Sequence, residues 1–227
     1  MQTGRMFRGA LFAIFAMMLP AHADGPRDQA LIAAAGTGDL AAVQRLIGEG
    51  ASLGARDNRG RTALLAATHA NQIAVARALI AAGADVNAKD GIGDSPFLYA
   101  GAEGRVEILE MTLASADLKS TNRYGGTALI PAAHHGHPEA VRVLLGTAID
   151  KDHVNKLGWT ALLEAVILGD GGPVQTEIVR LLVEAGANIN LADRDGVTPL
   201  RHARQRGFAA MVRILEARGR VNSRTRS

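Results

Sequence analysis

An all-α solenoid of about six helix-turn-helix units is predicted for residues 24–220 of this 227-residue chain, on three observations. The tetrapeptide Thr160-Ala161-Leu162-Leu163 has relatives at Thr62-Ala63-Leu64-Leu65, Ser95-Pro96-Phe97-Leu98, Thr127-Ala128-Leu129-Ile130 and Thr198-Pro199-Leu200-Arg201, at steps of 33, 32, 33 and 38 residues. A Gly stands two residues before the Ser or Thr in every copy: Gly60, Gly93, Gly125, Gly158 and Gly196. Most copies then run through an Ala-rich stretch, a Gly, and an apolar Val/Ile/Leu stretch. The units fall at about 24–56, 57–89, 90–121, 122–154, 155–192 and 193–220.

Each element has a local cause. The Gly supplies a turn conformation that a Cβ disfavours, and the following Ser or Thr is placed to cap the first helix. Pro96 and Pro199 fall at the first helical position, where a missing N–H costs nothing. Small pairs such as Ala66-Ala67 and Ala132-Ala133 let neighbouring helices approach closely. The second helix supplies the core through Leu79/Ile80, Leu144/Leu145 and Leu181/Leu182, and Gly83 or Gly186 ends it in a left-handed conformation. A single unit cannot bury its apolar face, so stability comes from stacking. The first unit, with Ala30 to Ala35, Val43, Leu46-Ile47 and Gly50-Ala51, lacks the Gly-x-Thr turn. In the last unit Glu216 follows Leu215 where other units have a second apolar residue, which marks a wet-faced C-terminal cap.

This pattern resembles the ankyrin repeat, whose period is about 33 residues with a Thr-Pro-Leu-His-x-Ala signature. The second half is best preserved from Ile178 to Asn190, matched by Val75 to Asn87. The resemblance implies protein binding through the turn tips and the exposed ends of the first helices. Carried across, the tips supply Asn58, Arg59, Arg61, Ile92, Asp94, Arg123, Tyr124, Lys156, Leu157, Trp159, Arg194, Asp195 and Val197. The helix ends add His69, Glu103, His134, His135, Ile167, Leu168, Gln205 and Arg206. The only Trp and one of two Tyr thus sit on neighbouring tips, and Trp, Tyr and Arg are enriched in binding hot spots. The expected partner surface is Arg59, Arg61, His69, Arg123, Tyr124, His134, His135, Lys156, Leu157, Trp159, Ile167 and Leu168, centred on Tyr124, Trp159, Arg123 and the two histidines.

Three departures break the beat. Unit three is one residue short and ends Leu113-Ala114-Ser115-Ala116-Asp117. Unit four places Pro131 inside its first helix, which costs a hydrogen bond or a kink unless the helix starts late. Unit five has about five extra residues in 169–176, between its helices, and this cluster of irregularities leads to the expectation of a bend or protruding loop somewhere in the middle units.

Residues 1–23 read as a secretory signal peptide: Arg5 and Arg8 form a basic region, Ala10 to Leu19 an apolar stretch, and Ala21-His22-Ala23 a cleavage site, with the cut after Ala23. The apolar run is too short for a membrane span. The absence of Cys excludes a lipid anchor on cysteine and suits a periplasmic or secreted address. The net charge of +3 conceals an asymmetry: from Arg201 onward there are eight arginines and one acid, and residues 221–227 form a basic, flexible tail. Phe208 is the one Phe, Trp or Tyr among those arginines, too little for a base-stacking surface, so nucleic acid is not expected as a partner.

Catalytic machinery is not legible: there is no phosphate loop, no His-Glu-x-x-His, no Gly-x-Ser-x-Gly and no thiol. No cofactor is expected. His134-His135-Gly136-His137 invites a zinc hypothesis, but the adjacent histidines diverge, and His137 occupies a Gly-His position common in ankyrin repeats. The expectation is a monomeric, non-catalytic scaffold that holds another protein. The chain is also similar to small bacterial ankyrin proteins with signal peptides, some linked to oxidative stress beside a periplasmic catalase. That likeness implies a periplasmic stress-response partner. A host-directed secreted effector, and an enzyme or metal protein using the His134/His135/His137 region, are the alternatives.

Overall fold

The computed structural model describes residues 25–224, with side chains to residue 220. The signal peptide expected over 1–23 lies outside the described residues. Twelve helices follow one another, and no strand occurs among the described residues. They pair as α1 (Pro26–Thr37) with α2 (Leu40–Gly48), α3 (Ala63–His69) with α4 (Ile73–Ala81), and α5 (Pro96–Ala102) with α6 (Val106–Thr112). The pairing continues with α7 (Leu129–His134) and α8 (Pro138–Leu145), α9 (Ala161–Ile167) and α10 (Pro173–Glu184), and α11 (Pro199–Gln205) and α12 (Ala209–Arg224). Six pairs make six units. α12 runs to Arg224, past the boundary expected at 220 and into the segment expected as tail; residues 225–227 lie outside the described residues.

The first helices pack side by side in the order α1, α3, α5, α7, α9, α11, and the second helices in the order α2, α4, α6, α8, α10, α12. One continuous apolar core lies between the two rows, from Leu31 to Leu215. Leu79, Leu144 and Leu182 from the second helices are fully buried in it, each contributing about 1.5–3 kcal/mol by leaving water. No helix among the described residues is long and apolar enough to cross a membrane.

The turn before each first helix is built the same way five times. The side chain of Asp57, Asp90, Asn122, Asn155 or Asp193 accepts backbone N–H bonds from the residues two and four positions later. The turn glycines hold positive φ, 89° at Gly158 for example. Adjacent turns are stitched together: Gly91 N–H donates to the Arg59 carbonyl at 3.0 Å and Lys156 N–H to the Tyr124 carbonyl at 2.9 Å. Thr62, Ser95, Thr160 and Thr198 then cap their helices, each hydroxyl accepting from the N–H three residues on.

Thr127 departs from this, and Pro131 is the reason. In the other units the carbonyl of the capping residue accepts from the N–H four residues on, as Thr160 does from Glu164 at 2.9 Å. Pro131 has no N–H to give. The Thr127 carbonyl instead takes the N–H of Ile130 at 3.1 Å, in a tighter turn, which uses up the donor that the hydroxyl would have capped. Thr127 Oγ1 is left buried without a partner, and α7 starts late, at Leu129.

The extra residues of unit five do not protrude. Residues 169–172 form a turn and Pro173 to Thr176 the first turn of α10; Gly169, Gln175 and Thr176 are buried, while Asp170, Pro173 and Val174 are exposed. Gln175 Nε2 donates to the His134 carbonyl at 3.0 Å and Arg206 Nη2 to the Gly169 carbonyl at 2.9 Å. The segment therefore braces unit four against unit six. Its turn needs Gly171, which holds φ +76° and leaves only 2.3 Å between a hypothetical Cβ and the Phe208 ring.

Candidate functional site

The residue four positions after each capping Ser or Thr is Ala66, Tyr99, Pro131, Glu164 and His202 in turn. In the middle of this row the ring of Pro131 is compact, and a groove of about 390 Å³ opens there, lined by Tyr99, Pro131 and Glu164. Its far wall comes from the turn residues Asp94, Arg123, Tyr124, Asn155 and Leu157, and its rim from Glu103, His134, His135 and Leu168 at helix ends.

Glu164 is the floor of this groove. It is 5 % exposed, and its Oε1 accepts from Asn155 Nδ2 at 2.7 Å. That bond exists because the turn residue here is an amide: the equivalent Asp193 instead accepts from His202 Nε2 at 2.6 Å. Burial pushes the Glu164 carboxyl up to about 7, against the opposing pull of the Asn155 bond and of His135. His134 Nδ1 lies 3.6 Å from Glu164 Oε2. Burial, reinforced by His135, holds the His134 imidazole below its ordinary range, so it is uncharged at neutral pH. The contact is close in space but is not an ion pair there.

The rim is better connected. His135 Nδ1–H donates to the Ala102 carbonyl at 2.8 Å and lies 3.5 Å from Glu103. Arg123 lies over the Tyr124 ring at 4.8 Å and stands 3.7 Å from Asp94. Burial, and then Asp90, raise the Asp94 carboxyl above its usual range while Arg123 opposes. Tyr124, Leu157 and Leu168 are 53 %, 48 % and 42 % exposed, so three large apolar side chains face solvent around one opening.

Of the residues expected at the partner surface, Arg123, Tyr124, His134, His135, Leu157 and Leu168 line this groove together. Arg61 and His69 line a second depression with Asp57, where Arg61 pairs with Asp57 at 2.7 Å. The His69 ring stacks on Tyr99 at 3.7 Å and divides the two hollows. Lys156 Nζ donates to the Arg123 carbonyl at 2.9 Å and so stitches adjacent turns, while Arg59 gives only its carbonyl to Gly91 and is itself exposed, lining neither hollow. Trp159 and Ile167 are half-buried and line neither hollow. His137 packs its ring against Gly104, away from the groove. Among the described residues no three His, Cys, Asp or Glu side chains come together as a metal site.

Sequence reasoning overlooked Glu164 and Asn155. Both left a signal. An acid at Glu164 interrupts the otherwise apolar run from Ala161 to Val166, and the Asp or Asn three residues before each turn Gly recurs in all five copies. The groove thus offers carboxylate and carboxamide acceptors with aromatic and aliphatic walls, and no Ser or Thr hydroxyl lines it.

Stacked helix pairs joined by Asx-braced turns, with a groove along the first helices, define an ankyrin solenoid. The chain belongs to that family: a model of ankyrin repeats, in three copies, matches residues 8–90, 97–193 and 149–225. It is 41 % identical over 188 residues to the ankyrin repeat protein YahD of Escherichia coli (strain K12), covering 82 % of this chain and 94 % of that protein. The crystal structure of an ankyrin repeat domain from Acinetobacter baumannii AYE is similar at a TM-score of 0.81 and 56 % identity, covering 83 % of this chain and 97 % of that one. The ankyrin repeat protein EF0377 reaches the same TM-score of 0.81 at 42 % identity, with 83 % and 97 % covered.

Proposed function

We propose that this protein is a non-catalytic scaffold that holds one protein partner in the groove of units three to five, and that it does so in the periplasm. Ankyrin repeats imply protein binding, and the observation behind this location is the single opening where exposed Tyr124, Leu157 and Leu168 surround a buried polar floor. Exposed apolar side chains gathered around a concavity are the usual mark of an interaction site. What supports the periplasmic address is the leader-like pattern of residues 1–23. A stress-response partner rests on the likeness to small bacterial ankyrin proteins alone.

In-cell cross-linking followed by mass spectrometry identifies the partner. Replacing Tyr124 and Leu157 by Ala then lowers its capture at least tenfold and leaves the melting curve nearly unchanged, since both side chains face solvent. Undiminished capture by the double variant refutes the location. Release of the chain by osmotic shock supports the periplasm; its appearance in culture supernatant supports a secreted effector instead.

A further inference from the structure

The groove contains a buried carboxylate that the fold uses only in part. Glu164 Oε1 is bonded to Asn155, but Oε2 receives no hydrogen bond among the described residues. Packing does not require an acid here, because Ala66, Tyr99, Pro131 and His202 fill the same register in other units. Oε2 is not sealed in the core but opens to the groove, where water or a bound donor can meet it.

The surrounding charge identifies what would meet it. Glu103 also faces the groove, from the C-cap of α5, and its one ionic neighbour among the described residues is His135. Asp94 already has Arg123, and on the far side of α9 His202 is taken by Asp193. On α10, Glu177 is engaged by Arg142 and Arg180. His134 is uncharged at neutral pH, and Tyr99 is held above its ordinary range by burial, hence neutral too. Glu103 and Glu164 therefore lack an Arg or Lys counter-charge among the described residues. Leu157 and Leu168 supply an aliphatic wall at the same opening.

We propose that the groove receives a basic side chain, Arg or Lys, from the bound protein, with its charged head on the free oxygen of Glu164 and its alkyl stem along Leu157 and Leu168. A guanidinium or ammonium supplies the donors that Oε2 lacks, and its stem covers apolar surface. The head must meet an ionised carboxylate, so below neutrality binding expels the Glu164 proton. His134, when protonated in acid, repels the same cation and acts in the same direction.

The inference rests on the scaffold reading above but can fail separately from it. The full chain is titrated to about 10 mM with Ac-Gly-Arg-Gly-NH2, its Lys analogue and its neutral citrulline analogue, while the Tyr and His ring resonances are followed by NMR. The Arg and Lys peptides are expected to bind saturably, about tenfold more tightly at pH 8 than at pH 6, because the ionised fraction of a group titrating near 7 rises by that factor. The citrulline peptide should not bind, and Glu164→Gln should abolish binding of the charged peptides. His134→Gln should retain proton release at pH 6, measured by calorimetry in two buffers of different ionisation enthalpy. Equal binding of Arg and citrulline peptides, unchanged binding by Glu164→Gln, or no saturable binding by either basic peptide overturns the proposal. If the peptides fail while partner capture still depends on Tyr124 and Leu157, the scaffold reading survives alone.

Discussion

Two threonines at the same register, one unit apart, should respond oppositely to losing their hydroxyl. Thr160 Oγ1 accepts from the N–H of Leu163 at 3.2 Å, and both residues are buried. Thr160→Val therefore removes a cap and strands a buried N–H, a loss of about 1–2 kcal/mol. Thr127 Oγ1 is buried with no partner, because Pro131 diverted the donor it would have used. Thr127→Val removes a desolvated, unpaired hydroxyl and should be neutral or stabilising by up to about 1 kcal/mol. The two variants thus differ by roughly 2 kcal/mol. With a urea slope of about 3 kcal/mol/M for a chain of this size, their unfolding midpoints separate by about 0.7 M. Both sites are in internal units, so fraying of the solenoid ends affects them alike. Urea titration followed by circular dichroism measures the difference. If Thr127→Val loses as much stability as Thr160→Val, the hydroxyl is bonded after all, and the account of Pro131 is wrong.

Glu164 also gives the fold a pH dependence of definite sign. Its carboxyl titrates near 7 in the folded state but near 4.3 in an unfolded chain, so the folded state binds the proton more tightly between those values. The full stability is present below about pH 4 and declines as pH rises through 7. Glu164→Gln should match the parent near pH 4 and exceed it at pH 8 by at most about 3.5 kcal/mol; parallel stability profiles for parent and variant would contradict this. Gly171→Ala should cost about 2–4 kcal/mol, since it combines a left-handed φ of +76° with a clash on Phe208. Gly196→Ala, at φ +71° with nothing within 4 Å, should cost only about 1 kcal/mol. Thermal melts compare the pair, and equal losses would remove any role for Phe208 packing.

The repeat frame was legible because every unit solves the same local problem with the same residues. The Gly, the capping Ser or Thr, the small helix pairs and the Leu/Ile pairs act within a few residues of one another, so their spacing alone predicts turn, cap and core. Pro131 was legible as an irregularity, and the late helix start follows from its missing N–H. The extra residues near 169–176 were legible as an insertion between two helices, but without the facing Phe208 and His134 the sequence does not say how they pack. They divide between a turn at 169–172 and the first turn of a longer α10, with Gly169, Gln175 and Thr176 packed inward.

The groove was half legible. Arg123, Tyr124, His134, His135, Leu157 and Leu168 stood at positions where ankyrin repeats present side chains, and the structure gathers them around one opening. The floor could not be inferred from spacing, because Glu164 reads as one polar residue in an apolar helix until Asn155 and His134 arrive beside it from other elements.

Periodicity is a local property, written into every 33 residues, and it alone determined the all-helical solenoid, its six units and the order of its helices. Which side chains share a hollow depends on distances between units, where Tyr99, Pro131 and Glu164 come from three different repeats of one row. Burial likewise belongs to the stack: a glutamate in an isolated helix titrates as an ordinary acid, and only neighbours on both sides exclude the water that would keep it ionised. Tertiary structure therefore decided where the groove lies and that its floor is a carboxyl group poised near neutrality.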